Sequence, residues 1–313
     1  MSSVMDVLFS TAFLAAVFRV ATPYLLAAFG GLVAERVGVS NIALEGQMLA
    51  AACTGALVSG YSGSTTLGAV SGVVVAALLG LLLAALTLNL GADAIIAGIG
   101  LNLLASGATA YAVYSLLDDK GGTSGLPSGS LPAVRIPGVE SIPVVGDVVS
   151  GQNLMTYVAL LAAPLVAWLL HRMRFGFHLR AVGEMPEAAR SVGIRVRRVQ
   201  YLTLALSGVL AGLAGVFLSM GYVSFFVRDM TAGRGFIALA AVFLGGLRPW
   251  GVFFAALGFG AAEALAVQLG SLQVPPQLVS AIPYAFTLVA LAVYAYRRRA
   301  GSRSARAGQA LRP

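Results

Sequence analysis

Residues 171–200, HRMRFGFHLRAVGEMPEAARSVGIRVRRVQ, form a polar and strongly basic island inside an otherwise apolar chain. The island contains seven arginines and only two glutamates. In membrane proteins, short loops that are rich in Lys and Arg stay on the cytoplasmic side. The segment therefore predicts a cytoplasmic loop between two membrane spans, and it sets the orientation of every span around it.

The composition of the whole chain agrees with a membrane protein. Hydrophobic residues make up 58% of the 313 residues and charged residues only 10%, whereas a soluble domain has about 25% charged residues. The net charge of +8 comes mainly from the basic island and from the tail at 296–313. Both flank predicted spans, so membrane topology explains the positive charge and we expect no nucleic-acid partner.

The apolar stretches predict an all-α bundle of transmembrane helices. A membrane-crossing helix needs about 20 apolar residues. The stretches that we interpret as spans are 4–34, 41–60, 66–89, 94–116, 153–171, 199–220, 236–247, 251–270 and 279–296. The stretch 4–34 is either one tilted helix or a broken pair of helices. The stretch 236–247 is short, so a re-entrant hairpin, or a total of ten crossings, is an open alternative. We expect about nine spans, within a range of eight to ten, and an amino terminus outside the cell.

A stretch rich in Gly, Pro and Ser at 118–153 divides these spans into two halves. Such a composition is typical of a loop. We therefore expect an N-terminal bundle at 1–116 and an extracytoplasmic loop at 117–152. A C-terminal bundle at 153–296, which contains the basic loop 171–198, precedes a basic cytoplasmic tail at 297–313.

The sequence contains no pattern typical of an enzyme or a metal site. Cys53 is the only cysteine, and the two histidines, His171 and His178, lie in the basic loop without a cluster of acidic partners. The single lysine, Lys120, lies in DDKGG and lacks the spacing of a phosphate-binding loop. We expect no catalytic residue, no metal and no cofactor bound by this chain.

Within the basic loop, the run from Glu184 to Ile194 has the signals of a short helix. Proline at 186 suits a first helical turn, acidic residues suit the positive end of a helix dipole, and Gly193 offers an end. Its apolar residues are small and its faces are mixed, which favours a groove on a partner protein over a lipid surface.

Three segments, 23–48, 179–223 and 230–251, resemble the permease subunits of bacterial ABC importers for branched-chain amino acids, ribose-type sugars and nucleosides. The nearest resemblance is to the shorter permease of nucleoside importers. It implies a multi-pass protein of the cytoplasmic (inner) membrane, surrounded by membrane lipid. It also implies three protein partners: a cytoplasmic ATPase that uses ATP and Mg, a second homologous permease, and an extracytoplasmic substrate-binding protein.

The resemblance also assigns roles to residues. In the family, the loop that corresponds to 180–195 forms a coupling helix on the ATPase, with Met185 here where Asn is common. The coupling residues that it implies are Arg180, Gly183, Glu184, Pro186, Ala188, Ala189 and Gly193.

A path for a nucleoside needs amides, hydroxyls and aromatic walls. Our candidates for that path are Asn41, Glu45, Asn102, Tyr111, Phe225, Phe226 and Glu263. For the polar members a structural hydrogen bond is the alternative role, and we expect residues 228–234 near the outer mouth. Two other functions stay open from the sequence. One is an ion-coupled secondary carrier with Glu263 or Glu45 as its coupling site, and the other is a membrane scaffold that transports nothing.

Overall fold

A computed structural model of the protein describes residues 11–119, 121–126, 128–135, 148 and 150–270. The predicted span at 279–296 and the basic tail at 297–313 lie outside the described residues. All regular secondary-structure elements in the described residues are helices, which confirms the all-α prediction for this part of the chain. The described residues also form two isolated β-bridges, which join Gly122 to Val227 and Ala133 to Asn153.

The helices follow the predicted apolar stretches closely, with additional short helices in the basic loop. In chain order they are α1 (Thr11–Arg36), α2 (Leu44–Ser62), α3 (Thr65–Ala84), α4 (Ala94–Leu117), α5 (Leu154–Arg172), α6 (Arg174–Glu184), α7 (Pro186–Ser191), α8 (Val196–Val216), α9 (Arg234–Leu244) and α10 (Pro249–Gly270). A π-helical turn extends α3 over Ala85–Asn89, and another extends α8 over Phe217–Tyr222.

Within the described ranges, six helices are long and apolar enough to cross a membrane: α1, α3, α4, α5, α8 and α10. The expected count of about nine is not confirmed. The predicted span 236–247 is the 11-residue helix α9, which is about 16 Å long and therefore too short for a hydrocarbon layer of about 30 Å. The described part of the first stretch belongs to one continuous helix, Thr11–Arg36, with Pro23 inside it.

Side-chain caps fix where three of these helices begin. The Asp93 carboxylate accepts hydrogen bonds from the backbone N–H groups of Ile95 and Ile96 at 2.9 and 3.1 Å. Asn153 accepts one from Met155 at 3.0 Å at the start of α5, and Ser64 caps α3. Each cap satisfies N–H groups that have no partner within the helix, so short polar residues before apolar runs mark these starts in the sequence.

Helix α1 lies at the centre of the bundle. Its residues from 20 to 34 are all buried, and it packs against α5, α8, α9 and α10. Helix α8 packs in turn against α1, α2 and α3, so helices from the two predicted halves interleave. The apolar core therefore runs along α1 and α8.

Glycines allow α8 to approach its neighbours, as the small-residue spacing at 208–215 predicts. A Cβ atom at Gly208 would lie 2.5 Å from the Ala76 carbonyl oxygen, and one at Gly212 would lie 2.9 Å from the Cα of Val73. One at Gly215 would overlap the backbone of Met48. Lipid tails are as apolar as the helix surfaces, so the hydrophobic effect does not bring helices together in a bilayer, and close backbone contacts such as these stabilise their packing instead.

The basic loop lies at the same end of the bundle as the carboxyl end of α1. The Arg36 guanidinium donates from Nε to the Leu247 carbonyl at 2.9 Å, and the Gly183 backbone touches the Arg36 carbonyl. This end collects the arginines of 171–198 together with Arg36 and Arg248. By the positive-inside rule it is the cytoplasmic end.

Candidate functional site

Helix α6 forms a platform at the cytoplasmic end. Its buried residues are Gly176, Leu179 and Val182. A side chain at Gly176 would overlap the Leu169 carbonyl of α5, and one at Gly183 would overlap the Arg36 carbonyl of α1. The two glycines therefore let α6 lie directly on the ends of two long helices, and a shift of α6 must move both helix ends.

Helix α7 projects from this platform and confirms the helix predicted after Glu184. Pro186 is at its first turn, and Gly193, with φ of 84°, follows its end. The Ile194 N–H donates to the Ala189 carbonyl at 3.0 Å and closes the turn. Ala189 is only 3% exposed, whereas Glu184, Pro186 and Ala188 are exposed. The side of α7 that carries Ala188 is the one available to a partner.

Arg180, the remaining predicted coupling residue, lies on α6 rather than on α7. Its guanidinium carbon is 5.0 Å from the centre of the Phe177 ring, a distance at which a cation and an aromatic face attract each other. Helix α6 itself was missed by the sequence reasoning, which treated 174–184 as loop. The spacing of Phe175, Leu179 and Val182 is the helical signal that identifies it.

Two of the candidate path residues support the turn between α1 and α2. The Asn41 amide donates to Gln47 Oε1 at 2.9 Å and to Ser207 Oγ at 2.8 Å, and its oxygen accepts from the Ala43 N–H at 3.1 Å. The Asn102 oxygen accepts from the Gly46 N–H at 2.7 Å, and its nitrogen donates to the Ile42 carbonyl at 2.9 Å. Both amides are thus occupied by bonds within the chain.

Glu45 caps the half-length helix α9. One carboxylate oxygen accepts from the Gly233 N–H at 2.7 Å and the other from the Gly235 N–H at 2.6 Å. A Cβ atom at Gly235 would lie 2.5 Å from the Glu45 backbone nitrogen, so only glycine allows this approach. The negative charge lies at the positive end of the α9 dipole, where it is stabilising.

Glu263 of α10 pairs with Arg234 at the start of α9. Its other oxygen accepts a hydrogen bond from the Tyr24 hydroxyl. Tyr24 is at the midpoint of the 26-residue α1, and the side chains of Arg234 and Glu263 are 18% and 14% exposed. The ion pair thus lies beside the middle of α1, and the expectation that residues 228–234 lie near the outer mouth stays a prediction.

A small cavity of about 10 Å³, about the space that one water molecule needs, lies beside this ion pair. Besides the pair, it is lined by Arg19, Val20, Pro23, Phe217, Leu218 and Tyr222. Arg19 is exposed and lies nearer the amino-terminal end of α1 than Tyr24 does. Two arginines thus face one small space with a single carboxylate.

The aromatic candidates are separated by the structure. Phe226 is 1% exposed, its N–H donates to Thr123 Oγ1 at 2.9 Å, and its carbonyl accepts from the Thr123 N–H at 2.9 Å. Phe225 is half-buried, whereas Tyr111 on α4 is 73% exposed. Of the three, Tyr111 has the most exposed side chain.

Among the residues that the structure describes, no group of three or more His, Cys, Asp and Glu side chains is placed to hold a metal ion. Fold and geometry together define a helical membrane protein with a buried polar framework and an exposed short helix at its basic end.

The matching family model is described as a permease component of branched-chain amino acid transport systems, and it covers residues 13–291. The chain belongs to this family of membrane permeases.

Three relatives are similar over nearly their whole length. The guanosine ABC transporter permease NupQ of Bacillus subtilis is 34% identical over 87% of this chain and 88% of its own. The putative glucose ABC transporter permease TsgC13 of Haloferax volcanii is 33% identical over 90% and 91%. The nucleoside ABC transporter permease NupC of Lactococcus lactis is 33% identical over 87% and 89%. The resemblance to ABC permeases that the sequence motifs indicate is confirmed.

Proposed function

We propose that this permease imports nucleosides as one subunit of an ABC transporter. In that complex it pairs with a second, homologous permease, receives solute from an extracytoplasmic binding protein and is driven by cytoplasmic ATPase subunits. The exposed helix α7 on its tightly packed platform is the observation that carries the proposal. Two of the relatives are named for guanosine or nucleosides, which supports nucleosides over the glucose of the third.

The geometry of α7 suits a protein partner in the cytoplasm. Glu184, Pro186 and Ala188 are exposed, and the buried Ala189 keeps the opposite side of the helix on the protein. A short helix with one small-residue face fits a cleft rather than a lipid surface. The ATPase is the partner that we assign to it.

Motion at α7 has a defined route into the membrane. Because Gly183 touches the Arg36 carbonyl, α6 and the cytoplasmic end of α1 move together. Helix α1 is held to α10 and α9 by the Tyr24, Glu263 and Arg234 contacts. A push on α7 is thus expected to tilt α1, α9 and α10 against the rest of the bundle, the kind of rigid-body motion that alternating access requires.

The contacts of the two acidic candidates disfavour an ion-coupled secondary carrier. Both Glu45 oxygens accept backbone N–H groups, and Glu263 is engaged by Arg234 and Tyr24. A coupling carboxylate must bind and release its ion in each cycle, so partners that fill its oxygens oppose that role. The polar framework is better explained as structural.

The test is nucleoside uptake by the complete complex in proteoliposomes, with ATP inside. We expect Glu184→Arg and Ala188→Asp to abolish ATP-driven uptake and to reduce recovery of the ATPase with the permease. Arg172→Glu, a charge reversal on the same cytoplasmic side but outside α6 and α7, is the matched control and should keep the ATPase. Uptake by the permease without any ATPase would overturn the proposal.

A further inference from the structure

The segment between α8 and α9, residues 223–233, carries the charged side chains of Arg228 and Asp229 without forming a helix. The Ser106 hydroxyl donates to Asp229 Oδ1 at 3.0 Å. Ser106 is at the midpoint of α4, a helix of 24 residues, which spans about 36 Å. The hydrocarbon layer is about 30 Å thick, so a bilayer centred on α4 has the Asp229 carboxylate near its middle.

At this depth Arg228 and Asp229 are nevertheless exposed. Their side chains are 61% and 59% accessible, and their nearest charged atoms are 3.7 Å apart. Neither charged side chains nor irregular backbone are stable in contact with lipid at mid-membrane; they occur there only within protein or beside water. The face that carries Asp229 therefore borders either another protein subunit or water, and an aqueous transport path is the environment that the proposed function supplies.

The exposed face of α3 shows what a lipid-facing surface looks like in the same chain. It consists of Leu67, Val70, Val74, Leu78 and Leu82, which are all aliphatic and at least 40% exposed. They follow one another at helical spacing with no charged group among them. The contrast with the face of Asp229 distinguishes two environments at the same depth.

We propose that Asp229, bound by Ser106 and flanked by Arg228, forms a solute-binding site midway along the transport path and accepts hydrogen bonds from a vicinal diol such as that of ribose. The inference rests on the proposed function and adds a contact residue to it. An ionised carboxylate is an acceptor only, with two oxygens. Ser106 uses Oδ1, while Oδ2 has Arg228 at 3.7 Å, beyond hydrogen-bond distance.

The surroundings of Asp229 favour a neutral solute that carries an aromatic group. Arg228 offsets the carboxylate charge, so that a cation gains little at this position. Tyr114, 49% exposed, lies about two turns beyond Ser106 on the same helix α4, where its ring provides surface for a planar base. Carboxylates hold ribose hydroxyls in the same way in dinucleotide-binding proteins.

The aqueous face is tested by cysteine labelling. Cys53 is the only cysteine and is buried, so Cys53→Ala gives a cysteine-free background for Ser106→Cys, Asp229→Cys and the lipid-facing control Val74→Cys. In the complete complex in membranes, a charged, water-soluble methanethiosulfonate should modify positions 106 and 229 much faster than position 74. Labelling at 106 and 229 as slow as at 74 would overturn the proposal.

The diol contact is tested by solute preference. Wild-type complex should import a ribonucleoside in preference to its 2′,3′-dideoxy analogue, and Asp229→Asn should raise the KM for the ribonucleoside about tenfold, the factor expected for one hydrogen bond to a charged group. The variant should lose the preference, and Asp229→Glu should retain part of it.

Two results separate this inference from the proposed function. A wild type that imports no nucleoside contradicts the proposed function, and the labelling arm still decides whether the face is aqueous. A wild type that imports nucleosides, together with an Asp229→Asn variant of unchanged KM and preference, contradicts the diol site alone.

Discussion

Two sets of polar side chains lie at similar depth in this permease, and they differ in what surrounds them. The first set, Asn41, Glu45, Asn102, Arg234 and Glu263, is buried or partly buried and is bonded within the chain. The exposed set, Ser106, Arg228 and Asp229, contacts only its own members through the side-chain bonds described. The first set links helices to one another. In the second set, the Asp229 carboxylate can still accept a hydrogen bond from a solute. Polarity inside a membrane therefore indicates function only when the group is also exposed.

The comparison is tested most severely by breaking the buried ion pair. Glu263→Leu leaves Arg234 without its carboxylate in the membrane interior, and we expect a loss of about 3–5 kcal/mol of stability. Thermal unfolding and yield of the purified complex measure it. The double variant Glu263→Leu with Arg234→Leu removes both charges and should recover most of the loss. A double variant as unstable as the single one would mean that packing, rather than the unpaired charge, is responsible.

A smaller effect is expected at Asn102. Asn102→Leu removes the acceptor of the Gly46 N–H and the donor to the Ile42 carbonyl, and each buried group left unpaired costs about 1–3 kcal/mol. Tyr111→Phe on the same helix, which removes an exposed hydroxyl, is the matched control and should melt like wild type. Equal melting temperatures for the two variants would contradict a structural role for Asn102.

Glu45→Gln should cost less again. The amide retains the shape of the side chain and one acceptor oxygen, but the charge at the start of α9 is lost, which corresponds to about 1 kcal/mol. The melting temperature of the complex reports it, and Glu45→Ala should lower that temperature further. If Glu45→Gln stopped uptake while leaving the melting temperature unchanged, Glu45 would belong with the functional set instead.

The smallest change in stability is expected at Asp229. Its side chain is exposed, so Asp229→Asn should alter stability by no more than about 0.5 kcal/mol, although we expect it to change solute preference. A melting shift as large as that of Asn102→Leu would place Asp229 in the buried framework and remove the contrast between the two sets.

The sequence predicts the long helices well, but it does not predict which residues contact the short helix α9. The span predicted at 94–116 is helix Ala94–Leu117, and that at 153–171 is Leu154–Arg172, because long apolar runs after Asp93 and Asn153 are local signals. Glu45 contacts the start of α9 through Gly233 and Gly235, which lie 188 and 190 residues further along the chain. Such pairing leaves no periodic pattern, so the sequence identified Glu45 as unusual without revealing its partner.

The same limit applies to the solute site. Asn102 and Glu263 attracted attention because they interrupt apolar helices, whereas Asp229 was missed because it lies in a polar, non-helical stretch that the sequence places outside the membrane. Its bond to Ser106 brings it to the middle of α4. The depth of Asp229 in the bilayer depends on the fold, and hydropathy along the chain does not predict it.

The short helix α9 has a consequence for how the protein enters the membrane during synthesis. An arginine at the centre of a membrane helix costs about 2.5–3.5 kcal/mol at insertion, and Arg234 begins a helix of only 11 residues. Its counter-charge, Glu263, is made 29 residues later. We therefore expect α9 to insert stably only after α10 has been made, so that the two helices integrate together as one hairpin.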